Sequence, residues 1–178
     1  MNQEVKYLSI LVANNEGVLA RIASFYSQRG FNIDSLTVSA TDDPTVSRLT
    51  VASRGDERTF RQILLQTSKL YEVYDVFELK PENSILKELL LIKVQADEHN
   101  RGSLRDIAEI YKAKVVDLSK DSMVFELTGS TDKLNAFLDM LKYYHIIEMC
   151  RTGVTAMERG TMTKAAVKEE DTLQFKSA

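Results

Sequence analysis

The order of secondary-structure signals constrains this chain most, because the same order occurs twice. Alternation in Lys6–Val12 places Leu8, Ile10 and Val12 on one face and reads as a strand. Val18, Leu19, Ile22, Ala23 and Tyr26 then follow at the spacing of one helix face. Arg29 suits the negative end of that helix, and Gly30 suits a left-handed C-terminal cap. Phe31–Ala40 is β-branched and alternating, Thr41-Asp42-Asp43-Pro44 is a turn, and Val46–Ser53 is a third strand. Gly55-Asp56 opens a helix whose inward face is Phe60, Ile63, Leu64 and Thr67, and Glu72–Leu79 is a fourth strand. The order is βαββαβ.

Lys80-Pro81-Glu82-Asn83 interrupts the pattern, and the order then repeats. Leu86–Ala96 is a long apolar strand, and Ser103–Ala113 is a helix with Leu104, Ile107, Ala108 and Tyr111 inward. Lys114–Leu118 and Met123–Thr128 form a hairpin. Ser130 or Thr131 caps a helix carrying Leu134, Phe137, Leu138 and Leu141, and Ile146–Cys150 is the last strand. Each half is expected to be an antiparallel four-stranded sheet with two helices on one face, the split βαβ or ferredoxin-like arrangement of an α+β protein. The expected limits are 1–80 for the first domain, 84–158 for the second and 159–178 for a polar extension. Domains this small bury only about 60% of their unfolded surface, so an oligomer is expected.

Composition bears on partners. A net charge of −3 over 178 residues leaves no basic excess for phosphates, so nucleic acid is not expected. The strand Ser47-Arg48-Leu49-Thr50-Val51 also lacks the aromatics with which this fold stacks RNA bases. The N-terminus does not read as a signal peptide, and no apolar run is long enough to span a membrane. A soluble cytoplasmic protein is expected. Catalytic chemistry is not apparent. His99 sits in a polar turn, and His145 opens the final strand. The single Cys150 lies in an apolar strand, where inert packing is expected. No phosphate-cradling glycine loop or metal-ligand cluster is present, and Asp42-Asp43 is explained by the turn. No catalytic residue, metal or cofactor is assigned to this chain.

The two polar turns flanking the first helix are the candidate site. Backbone N–H groups at a helix start lack intrahelical acceptors and can hold a carboxylate. Gly17 lets a ligand approach the backbone closely, and the Asn14 amide can both donate and accept. Asn32 lies about 20 Å away, beyond the other end of the helix. One ligand could meet both only across a two-fold interface. The simpler reading is capping, with Asn14 or Asn15 as N-cap, Glu16 complementing the dipole and Gly30 ending the helix.

The stretch LVANNEGVLARIASFYSQRGFNIDSLTV, followed by TDDPTVSRLTV, resembles an ACT domain. More specifically, it is similar to the small regulatory subunits of acetolactate synthase (acetohydroxyacid synthase). The similarity continues through LLLIKV, IYKAKVVDLS and VFELTGSTDKLNAFLDML to IEMCRTGVTAMERG, covering roughly residues 5–160. The resemblance implies a non-catalytic subunit that pairs through its ACT domains. It would stimulate a large catalytic subunit and confer feedback inhibition by valine at the start of branched-chain amino acid synthesis. Thiamine diphosphate, magnesium and FAD would sit on that partner. The effector contacts would be Asn14, Gly17 and Val18 of one protomer, and Asn32 and Ile33 of the other. The family usually has Pro or Ser before the loop glycine, where this chain has Glu16. The alternatives are a free-standing amino-acid-sensing ACT protein with another target, and an enzyme.

Overall fold

A computed structural model describes residues 5–160, so the extension expected from 159 onward lies almost wholly outside the described residues. The described residues divide into two compact units, one of residues 5–85 and 156–160, the other of Leu86–Thr155.

The first unit runs β1 (Val5–Ala13), α1 (Val18–Gln28), β2 (Ser35–Ala40), β3 (Val46–Arg54), α2 (Glu57–Thr67) and β4 (Val73–Leu79). Its antiparallel sheet has the order β2-β3-β1-β4. Period-2 alternation sends Leu8, Ile10 and Val12 to the helix side, where they are buried with Leu49 and Val51. Register sets Ile10 between Leu49 and Val76. The helices close this core with Val18, Ile22 and Tyr26 from α1 and Phe60 and Ile63 from α2. The apolar stripe of α1 is narrower than its sequence suggests, because Ala23 and Leu19 are exposed.

α1 ends as its glycine predicts. Gly30 takes φ +67, its N–H donates to Ser27 O at 3.1 Å, and the Phe31 N–H reaches back to Tyr26 O at 2.9 Å. The Phe31 ring meets the Tyr26 ring edge-on, which is the apolar contact that accompanies this double-bonded terminus. That use of Phe31 explains why β2 starts at Ser35 and not at Phe31. Residues 31–34 serve the end of the helix and the link to the sheet.

The second unit repeats the plan with β5 (Ser84–Gln95), α3 (Arg101–Tyr111), β6 (Lys114–Leu118), β7 (Ser122–Gly129), α4 (Thr131–Leu141) and β8 (Ile146–Arg151). The strand order is β6-β7-β5-β8, and a further strand, β9 (Thr155–Glu158), pairs with β5. β9 is absent from the sequence reading, which ends its strands at Cys150. A single 3-10 turn, Pro81–Asn83, precedes β5, and the Arg159 N–H donates to Asn83 O at 2.8 Å. Leu90, Ile92, Val94, Phe125 and Leu127 pack with Leu104, Leu134 and Phe137 in this core. Cys150 is exposed, against expectation. It lies opposite Leu91 on the helix-free face of edge strand β8, and Leu91 is itself 39% exposed. Beside the core, Glu88 is 5% exposed and fully engaged. It accepts from Arg151 Nε at 3.0 Å, from Arg151 Nη2 at 2.7 Å and from the Thr131 hydroxyl.

Among the described residues, no helix is long and apolar enough to cross a membrane.

Candidate functional site

The loop from Ala13 to Gly17 carries the helix entry, and its neighbours hold it on both sides. The Ala13 N–H donates to Glu72 O at 2.9 Å, and the Asn14 N–H donates to Thr45 O at 2.7 Å. Asn14 Nδ2 donates to Pro44 O at 2.9 Å. Asn14 is therefore not a helix cap, because its side chain reaches sideways to the turn between β2 and β3. That turn is tightened by Asp43, whose Oδ1 accepts from the Thr45 hydroxyl at 2.7 Å and the Thr45 N–H at 2.8 Å. The hydroxyl first, and then the amide, hold the Asp43 carboxyl below the usual carboxylate range. The Thr41–Pro44 turn thus positions the candidate residue Asn14, a role beyond the turn formation expected of it.

Asn15 and Glu16 do not cap α1 either. The N-cap is Gly17, with φ +80 and no side-chain hydrogen bond, and the first turn of the helix contains no acidic residue. Only glycine adopts this backbone without strain, and a Cβ placed there would meet nothing within 4 Å. No side chain bonds the first amides, and the Val18 N–H donates to Asn15 O at 3.4 Å. α2 and α4 differ here, since Asp56 accepts from Thr59 N and Ser130 from Lys133 N. Val18 is 5% exposed, so its side chain belongs to the core and only its backbone can face a ligand.

Beyond the other end of α1, Asn32 is exposed, and Ile33 is half-buried against the first core. Asn32 O accepts from the Ser53 hydroxyl at 2.6 Å, and the Asp34 N–H donates to Ala52 O at 2.9 Å. Asn32 Nδ2 donates to Asp34 Oδ1 at 2.7 Å, and Arg54 Nε donates to Asp34 Oδ2 at 3.0 Å. The sequence reading misses Asp34, Ser53 and Arg54. The sole signal for them is the short polar spacing Asn32-x-Asp34.

Asn14, Gly17 and Val18 come together at one end of α1, and Asn32 and Ile33 lie past the other. An eleven-residue helix is about 16 Å long, so one chain does not bring the two groups to one small ligand. A hollow on the β4 side of the helix start includes Val18 in its lining, together with Asn15, Glu16, Arg21, Tyr71, Glu72 and Tyr74. The Arg21–Glu72 ion pair crosses it. Among the described residues, no group of three His, Cys, Asp or Glu side chains could hold a metal.

The likeness to known proteins covers both units. Residues 8–75 match the family described as the AHAS small subunit-like ACT domain, and residues 87–160 match the family described as the small subunit of acetolactate synthase. A probable acetolactate synthase small subunit of Archaeoglobus fulgidus is 43% identical over 86% of this chain and 96% of that protein. The acetolactate synthase small subunit of Mycolicibacterium smegmatis is 42% identical over 90% of this chain and 95% of that protein. The crystal structure of the acetolactate synthase small subunit from Thermotoga maritima superposes with a TM-score of 0.83 at 36% identity, covering 89% of this chain and 99% of that one. Likeness at this level, continuous through both βαββαβ units, places the chain in the acetolactate synthase small-subunit family, with an ACT domain as its first unit.

Proposed function

We propose that this chain is the non-catalytic regulatory subunit of an acetolactate synthase, stimulating its large catalytic subunit and making it sensitive to valine. The large subunit would carry thiamine diphosphate, magnesium and FAD, and the complex would work in the cytoplasm. Two chains pair through their ACT domains. Asn14, Gly17 and the Val18 backbone of one protomer then meet Asn32 and Ile33 of the other around one effector molecule. The effector carboxylate lies at the α1 amides, and the half-buried Ile33 offers apolar contact to a branched side chain.

The observation that carries this reading is the start of α1. It is opened by a left-handed glycine with no side chain over its amides, where α2 and α4 are each capped by their own Asp56 and Ser130. Uncapped N–H groups at a helix start favour an anion.

Pyruvate turnover by the large subunit, with and without this chain and titrated with valine, tests the reading. Turnover should rise on adding the chain and fall with valine. Indifference to both additions would refute it. Asn32→Ala should weaken valine binding about ten- to a hundredfold, the usual cost of one charge-assisted hydrogen bond. Sedimentation should show a dimer at micromolar concentration.

A further inference from the structure

An asparagine amide is a donor on one side and an acceptor on the other. What holds it from within decides which side it offers. Asn32 Nδ2 lies 2.7 Å from Asp34 Oδ1. A carboxylate only accepts, so the amide nitrogen must face it. Asp34 is itself fixed, because Arg54 Nε donates to its second oxygen at 3.0 Å and its own N–H donates to Ala52 O at 2.9 Å. The Asn32 carbonyl is pinned by the hydroxyl of Ser53, which is 2% exposed. Turning the amide over would set its oxygen against a carboxylate oxygen. Asn14 follows the same rule, since its Nδ2 donates to Pro44 O, a pure acceptor, at 2.9 Å. Among the described residues, neither Asn14 Oδ1 nor Asn32 Oδ1 receives a hydrogen bond.

We infer that Asp34, held by Arg54, is a positioning residue that fixes Asn32 so that both site asparagines offer carbonyl oxygens, and that these oxygens read the effector's ammonium group. The inference rests on the effector site proposed above and divides its labour. The α1 amides take the carboxylate, and the two amide oxygens take the protonated amine. The ligand class is then an α-amino acid with a free ammonium. The 2-oxo acid of the same carbon skeleton has an acceptor where the ammonium would be, and it is rejected by two facing oxygens.

Calorimetry on the full chain tests this with L-valine, with the 2-oxo acid of valine's skeleton, and with Asn32→Ala, Asp34→Ala and their double variant. L-valine should bind at least about a hundredfold more tightly than the 2-oxo acid, as expected where unpaired polar groups would oppose the wrong ligand. Asp34→Ala should weaken valine about tenfold, and in the Asn32→Ala background it should cost nothing further, because Asp34 acts through Asn32. Fully additive losses, or equal binding of the 2-oxo acid, would overturn the inference. Asp34→Asn keeps the shape, serves where Asp34→Ala does not fold, and should show a smaller loss with the same non-additivity. Side-chain amide resonances of ¹⁵N-labelled protein separate the two ideas. If no variant and no wild-type chain binds valine, the site reading fails. The positioning role still stands if Asp34→Ala shifts the Asn32 NH₂ pair, and it falls if that pair is unmoved.

Discussion

α1 and α3 occupy the same place in their two units, after the first strand and before the second, yet they begin differently. α1 starts at the left-handed Gly17 with no side chain over its amides, and its Val18 N–H donates to Asn15 O at 3.4 Å. α3, whose N-cap Asn100 likewise makes no side-chain cap bond, is entered through a turn built on Asp97. That carboxylate accepts from the His99 and Asn100 N–H groups at 2.8 and 3.0 Å, its backbone carbonyl accepts from the Arg101 N–H at 3.1 Å, and Asn100 Oδ1 returns to the Asp97 N–H at 2.8 Å. The turn into α3 is thus braced by side-chain hydrogen bonds, while the turn into α1 has only the Asn15 carbonyl on its first amide. Glu88 shows the complementary investment, since the second unit places a buried, fully bonded carboxylate where strand meets helix. One architecture thus yields a unit whose first helix is entered without a side-chain hydrogen bond and a more self-contained one, and the difference lies in a few polar side chains.

The largest effect should come from damaging the self-contained unit. Arg151→Ala strands the Glu88 carboxylate and should cost about 3 kcal/mol of stability, the low end for a broken buried pair, because the Arg151 side chain is 26% exposed. Valine affinity measured below the unfolding transition should not change. A loss of affinity would mean that the units do not divide the work as described.

Gly17→Asp comes next. It puts a side chain on a backbone at φ +80 and a negative charge before the α1 amides. Valine inhibition should weaken at least about a hundredfold, or roughly 2.7 kcal/mol, while circular dichroism stays native. Normal potency would remove Gly17 from the site.

Ser130→Ala opens the entry of α4 and should cost about 1 kcal/mol in chemical denaturation. It should add no second valine site in calorimetry, since an open helix entry is insufficient without the two asparagines.

The smallest effect is a pH dependence. The Thr59 hydroxyl and N–H hold Asp56 below the usual carboxylate range, and the Asn100 and His99 N–H groups do the same for Asp97. Their stabilisation is present above the unfolded value near about pH 4 and is lost as pH falls through the lowered folded values. Amide-exchange protection, taken relative to the intrinsic rate at each pH, should therefore fall in acid at the starts of α2 and α3, leaving protection at the start of α1 unchanged. Equal acid sensitivity at all three would erase the distinction between open and closed entries.

Much of this was legible in the chain because it is local. The doubled element order, the caps at Asp56 and Ser130, the Gly30 terminus and the Asp-Pro turn each depend on residues a few positions apart. What was not legible depends on partners far away in sequence. Asn14 looks like a cap until Pro44 appears beside it, thirty residues on. Asp34 reads as one polar position in the alternating Phe31–Ala40 stretch until Arg54 arrives from β3. β9 is four residues long, with Ala156 its only buried position, too short for alternation to declare itself. Cys150 looked buried because its strand is apolar, and β8 turned out to be an edge.

β9 has a mechanical consequence. It returns the chain to β5, and the Arg159 bond to Asn83 closes the ring at the 3-10 turn. Leu86–Thr155 is therefore a loop of chain whose entry and exit are fastened together. Tension drawn between Asn83 and Arg159 would load that short clasp before the chain it encloses. The seventy residues inside it would hang slack until the clasp tore.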